Sequence, residues 1–173
     1  MRLALCALML AVGMACDAPG SGPALPSSAH WVTYTLASYA GPVARSEGIL
    51  AATSLATIQD EVVSAPKVIA NGMPWPDASH RSGVLYVAVA TYSQCTRNTV
   101  DDFAVDGHSL FYVHWIGHPS GVCNAAMALP RYRLYAVPSG QLPRVATLDV
   151  KLLVEDAVAN TDSVIAEVSV QLG

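Results

Sequence analysis

The chain has 173 residues, nine Lys or Arg against thirteen Asp or Glu, 53% hydrophobic residues and four cysteines. That is enough for one domain with a sizeable core, and the acidic balance disfavours nucleic acid or an anionic membrane surface as partner. No phosphate loop, dinucleotide fingerprint or zinc-ribbon spacing occurs, so no cofactor is expected.

At the start of the chain, Arg2 is followed by an apolar run from Leu3 to Ala15, which stops at Cys16 and the soft stretch Asp17-Ala18-Pro19-Gly20-Ser21-Gly22-Pro23. About thirteen residues fall well short of the roughly 20 that a helix needs to cross a bilayer, so residues 1–15 read as an export signal peptide. Two cleavage readings compete: ordinary secretion, with Gly13 and Ala15 before the cut, or lipoprotein maturation with Cys16 as the acylated first residue. Val12-Gly13-Met14-Ala15-Cys16 resembles a bacterial lipobox, with Ala15 fitting and Gly13 and Met14 departing from it. Lipidation of Cys16 is the preferred reading. It makes the destination a membrane-anchored lipoprotein, whereas ordinary cleavage gives a secreted or periplasmic protein. Residues 16–29, rich in Pro, Gly and Ser, suit a flexible tether, and residues 30–173 form a single β-rich domain. Loss of Arg2 leaves eight basic against thirteen acidic residues, a net charge of minus five.

Export also sorts the cysteines. Cys6 leaves with the signal and Cys16 is the lipid site, so Cys95 and Cys123 are expected to pair in an oxidising compartment. Their disulfide would close a loop of about 28 residues and stabilise by roughly 3.5 kcal/mol in the chain-entropy view.

Trp31 to Tyr39 alternates weakly and reads as a first strand, broken at Gly41-Pro42, and Gly48 to Ala52 as a second. Thr53 or Ser54 can cap the one convincing helix, in which Leu55, Ile58 and Val62 share a stripe before Pro66 ends it. Residues 71–82 are loop, with Trp75 between two prolines and expected to close one end of the core. Val84 to Tyr92 is apolar on both parities, the pattern of a central strand covered on both faces. Asp106-Gly107 suits a two-residue type I′ turn between Val100 to Val105 and His108 to Ile116, which would set Val105 opposite His108, Phe103 opposite Leu110 and Asp101 opposite Tyr112. Arg131 to Val137 is a strand bracketed by Pro130 and Pro138. Half-buried alternation returns over Leu148 to Val154 and Val164 to Leu172. The class is therefore α+β, predominantly antiparallel β: a small sandwich or partly open barrel with one short helix.

The candidate chemistry is thin. His108, His114 and His118 share strand parity, but His114 and His118 lie some 13 Å apart along a strand, too far to chelate without a turn at Gly117, so they read as surface histidines and no metal site is assigned. Gly107-His108-Ser109-Leu110-Phe111 starts like a nucleophile elbow and lacks the closing glycine. Asp156, Asn160 and Asp162 have oxygen ligands, yet no glycine permits the calcium-loop bend, so this is a hairpin connection. Asp101 and Asp102 point to opposite faces of a strand and read as solvated, as do Arg131, Arg133 and Arg144.

From Ile49-Leu50 through the helix Leu55 to Val62, the loop with Pro66, the central strand, the Asp106-Gly107 hairpin, Gly121-Val122-Cys123 and the segment from Ala128 to Pro138, residues 49 to about 148 resemble the PrcB-like domain. That domain occurs in bacterial surface lipoproteins and in a small subunit associated with a protease complex. Ser93-Gln94-Cys95-Thr96-Arg97-Asn98 stands where the family has a Pro-Thr-Gly-Gly-Tyr-like turn. The resemblance implies a non-catalytic β-rich module that contacts other surface proteins, with no catalytic residue to carry over. The expected function is thus an exported, lipid-anchored, non-enzymatic domain for protein interaction or assembly at the bacterial cell envelope, with an envelope or surface protein as partner and the membrane held through the anchor. Two alternatives stand beside it: a small envelope hydrolase or metal-dependent enzyme using His114 or His118, and a carbohydrate or small-ligand binder built on Trp75, Tyr112 and Trp115.

Overall fold

Two sheets and one helix organise the chain in the computed structural model, which describes residues 25–42, 47–64, 83–92, 97–119, 130–157 and 159–172. The strands are β1 (His30–Trp31), β2 (Thr35–Pro42), β3 (Gly48–Ala52), β4 (Val84–Tyr92), β5 (Arg97–Asp106), β6 (Ser109–Pro119), β7 (Pro130–Pro138), β8 (Thr147–Asp156) and β9 (Thr161–Gln171), with α1 (Leu55–Ser64) between β3 and β4. They form a five-stranded sheet, β1-β5-β6-β8-β9, packed on a four-stranded sheet, β2-β7-β4-β3. The result is a β-rich α+β sandwich that does not close into a barrel.

Hydrophobic parity explains the layering. On β4, Leu85, Val87 and Val89 point between the sheets, where they meet Phe103, Leu110, Tyr112, Leu148, Val150 and Leu152 from the larger sheet. The opposite parity, Tyr86, Ala88 and Ala90, faces Leu55 and Ile58 of α1 on the outside of the smaller sheet. A strand between a sheet and a helix has no polar face to show, hence the unbroken apolar run. Ile58 is fully buried, a contribution of about 1.5–3 kcal/mol for that side chain. A carboxylate there would undock the helix.

Three expectations need correction. The first strand divides: His30 and Trp31 pair with β5 in one sheet, and the chain crosses at residues 32–34 to enter the other as β2, running through Gly41 to Pro42 with bulges instead of breaking there. The hairpin turn is Gly107-His108, since only Gly107 has positive φ (55°) and Asp106 pairs with Ser109. That is the glycine-first form of a primed turn, not type I′, and it moves the register by two residues: Val105 faces Leu110, Phe103 faces Tyr112 and Asp101 faces His114. Finally, β8 runs parallel to β6, because the chain spends β7 in the other sheet before returning. The β8–β9 connection is the expected hairpin, with Asp156 Oδ1 accepting from the Ala159 backbone at 3.1 Å and Asn160 at φ 52°.

The N-terminal segment is engaged before β1. Leu25 packs on Phe111, Val113, Leu153 and Val164, on the outer face of the larger sheet, and the Ser28 hydroxyl donates to Asp106 at 2.7 Å. Among the described residues no helix is long and apolar enough to cross a membrane.

Candidate functional site

The two-residue displacement of the hairpin decides which side chains meet. Asp101 lies opposite His114, and each follows the inward parity of its strand: Asp101 with Phe103 and Val105, His114 with Tyr112 and Leu110. From the facing sheet, Arg133 on β7 shares parity with Tyr135 and Val137. Three ionisable residues on three strands thus enter the same inter-sheet space.

One carboxylate serves both partners. Asp101 Oδ1 is 2.6 Å from His114 Nδ1, and Asp101 Oδ2 is 2.7 Å from Arg133 Nη1, so the ion pair bridges the two sheets. These are short, charge-assisted contacts. Arg133 Nη1 also reaches Thr91 Oγ1 at 3.4 Å and the Tyr112 hydroxyl at 3.5 Å, both weak. The hydroxyls of Tyr112 and Tyr135 lie 3.3 Å apart, and Tyr34 donates to the Asp101 carbonyl at 2.7 Å. Rings of Tyr34, Phe103, Tyr112 and Tyr135 wall the cluster off from the apolar interior, with neighbouring centroids 5.0 to 5.5 Å apart.

The surroundings set the charge states. Burial pushes the Asp101 carboxyl up, but the His114 hydrogen bond and the Arg133 charge outweigh it and hold the group below its ordinary value. Burial works against the Arg133 cation, and Asp101 more than restores it, so its pKa is raised. Burial raises both inner tyrosines: Tyr112 well above the ordinary range, and Tyr135 to about 12. An ionised carboxylate only accepts, so His114 Nδ1 is the donor of that contact. Nε2 is buried and has no hydrogen-bond partner.

A carboxylate orienting an imidazole whose other nitrogen is free is half of a general-base arrangement. Access is the missing half. The His114 side chain is 0% exposed, while Asp101 and Arg133 are 15% and 14% exposed, so the cluster meets solvent at its carboxylate edge and not at the imidazole. What this geometry does chemically is clamp one sheet to the other.

The structure scatters the other candidates. His108 is a surface residue in the hairpin turn, 3.3 Å from Asp149 Oδ2, and His118 lies near the end of β6 with its side chain outside the described set. Ser109 closes the hairpin and is buried, with no helix behind it. Tyr112, expected as an exposed binding aromatic, is fully buried because it shares parity with Leu110. Trp115 is half-buried on the outer face. The expectations on residues 1–15, Cys16, Trp75, Cys95 and Cys123 lie outside the described residues. Asp101, His114 and Arg133, read as solvated, are instead the interior site. The sequence signal for them is the placement of charged residues on the core parity of three strands.

Elsewhere a shallow groove of about 400 Å³ is lined by Thr53, Ser139, Leu142, Pro143, Arg144 and Leu172 among others. Among the described residues, no three His, Cys, Asp or Glu side chains approach closely enough to hold a metal ion. Fold and site together define an α+β sandwich braced at one end by a buried Asp–His–Arg cluster. No family model matches the chain, and no curated protein or solved structure is significantly similar to it.

Proposed function

We propose that the chain is an exported, lipid-anchored, non-catalytic domain for protein interaction or assembly at the bacterial cell envelope, acylated at Cys16 and crosslinked between Cys95 and Cys123. The observation that carries the reading is the fate of His114, which is spent on an interior clamp and not presented to a cleft. A rigid sandwich with its ionisable groups used structurally fits a module that offers surface, and the PrcB-like resemblance points the same way. The net charge, minus four for the full chain, agrees with a protein partner better than with nucleic acid.

One observation favours the hydrolase alternative, namely the 2.6 Å contact that leaves His114 Nε2 unpartnered. A substrate would have to enter between the sheets to use it. Crosslinking in intact cells, followed by mass spectrometry of the captured complexes, separates the two. Recurrent crosslinks from exposed residues to the same envelope protein, unchanged by His114→Gln, are the expected result. A hydrolytic activity abolished by His114→Gln in protein that still folds would replace this reading with the enzymatic one.

A further inference from the structure

Two of the largest exposed apolar side chains lie on one face. Trp31 is 58% and Val100 56% exposed. Val32 enters the core and bonds to Phe103, so Trp31, paired with Ala104, points outward; Asp101 enters the core, so Val100, paired with Trp115, does too. Ala104 and Val100 are four residues apart on β5, about 13 Å. Leu25 lands on the same outer face, against Phe111 and Val113, which pair with Ala104 and Asp102.

Chain length then limits what this face can meet. Cys16 to Leu25 is nine residues, at most about 31 Å when fully extended. A domain of about 150 residues is about 38 Å across, so passing from Leu25 round to the α1 side requires about 60 Å. The anchor therefore cannot bring the helix side to the bilayer, and the face where Leu25 docks is the proximal one. Resting on the assignment of Cys16 as the lipid site, we propose that the outer face of the five-stranded sheet, with Trp31 and Val100 at its centre of contact, lies on the zwitterionic lipid surface to which the chain is anchored. Tryptophan with an apolar body and a single N–H donor suits the headgroup boundary. Asp102, Asp149, Glu155, Asp162 and Glu167 share the face, and Lys151 there is paired with Glu167 at 3.7 Å, so anionic headgroups oppose the contact.

The test uses the full acylated chain in vesicles of phosphatidylethanolamine and phosphatidylcholine, with part of the phosphatidylcholine brominated on its acyl chains. Tryptophan emission should fall, Trp31→Phe combined with Trp115→Phe should remove at least half of the quenchable emission, and replacing a third of the lipid by phosphatidylglycerol should restore emission. Val100→Glu, at an exposed position, should weaken quenching of Trp31 without releasing the protein. Equal quenching in wild type and the double variant Trp31→Phe, Trp115→Phe, in protein whose intact mass includes the diacylglycerol, would overturn the face assignment and leave the anchor standing. An intact mass without acyl chains would overturn both.

Discussion

The space between the sheets has two unlike ends. At one, Leu85, Val105, Leu110, Val137, Leu148 and Val150 make a dry apolar layer; at the other, reached by moving along the same strands, stand Thr91, Asp101, His114 and Arg133. The dry end adheres wherever apolar area meets apolar area, and several registers could satisfy it. The charged end is satisfied only when β5, β6 and β7 bring their partners within a few tenths of an ångström, so it selects one pairing of the two sheets. The difference teaches that stability and specificity are located in different places here.

The sharpest way to break that comparison is Asp101→Ala, which strands Arg133 and removes the only acceptor His114 has in the cluster. The expected loss is about 4 kcal/mol, since an unpaired, mostly buried charge is left behind. A loss below about 1 kcal/mol in urea unfolding would mean that the two ends do not differ as described. By contrast, Leu148→Ala at the dry end should cost about 3 kcal/mol through lost burial and a cavity, with no change in the register-dependent amide spectrum.

Alkaline titration sharpens the boundary between the ends. The fold raises Tyr135 from 10.0 to about 12 chiefly by burial, so it favours the neutral phenol. That stabilisation is complete below the ordinary value, and is lost as the pH rises from 10 to about 12. A loss of about 2 kcal/mol across this window is expected, followed by tyrosinate absorbance, and Tyr135→Phe should flatten it. The smallest effect is at the hairpin. Gly107 has φ 55° and open space around it, so Gly107→Ala strains only the backbone and should cost about 1 kcal/mol by thermal denaturation.

Most of the sandwich was legible from alternation, because a strand with one buried face must repeat every two residues. The helix stripe at Leu55 and Ile58, the doubly apolar Val84–Tyr92 and the proline-bracketed Pro130–Pro138 all lie where periodicity places them. Pairing was less legible. Asp106-Gly107 and Gly107-His108 are both good primed turns, and choosing between them requires knowing which φ is positive. Asp101, His114 and Arg133 were misread for a different reason. Charge argues for solvent and parity argues for the core, and parity wins only when the opposite charges arrive together from separate strands. Trp31 to Tyr39 reads as one strand because nothing local marks the crossing between sheets; the bonds from Val32 to Phe103 and from Tyr34 to Asp101 fix it there.

The parallel pairing of β6 with β8 reaches further than the sheet diagram. One flank of β6 is closed only by a strand that begins at Thr147, after β7 has already been laid into the opposite layer. During synthesis, a chain ending anywhere before β8 leaves Leu110 and Tyr112 without Leu148, Val150 and Leu152 across from them. Completion of the larger sheet therefore waits for about the last sixth of the polypeptide. Interleaved strands are thus a built-in delay between synthesis of the first strands and completion of the sheet they belong to.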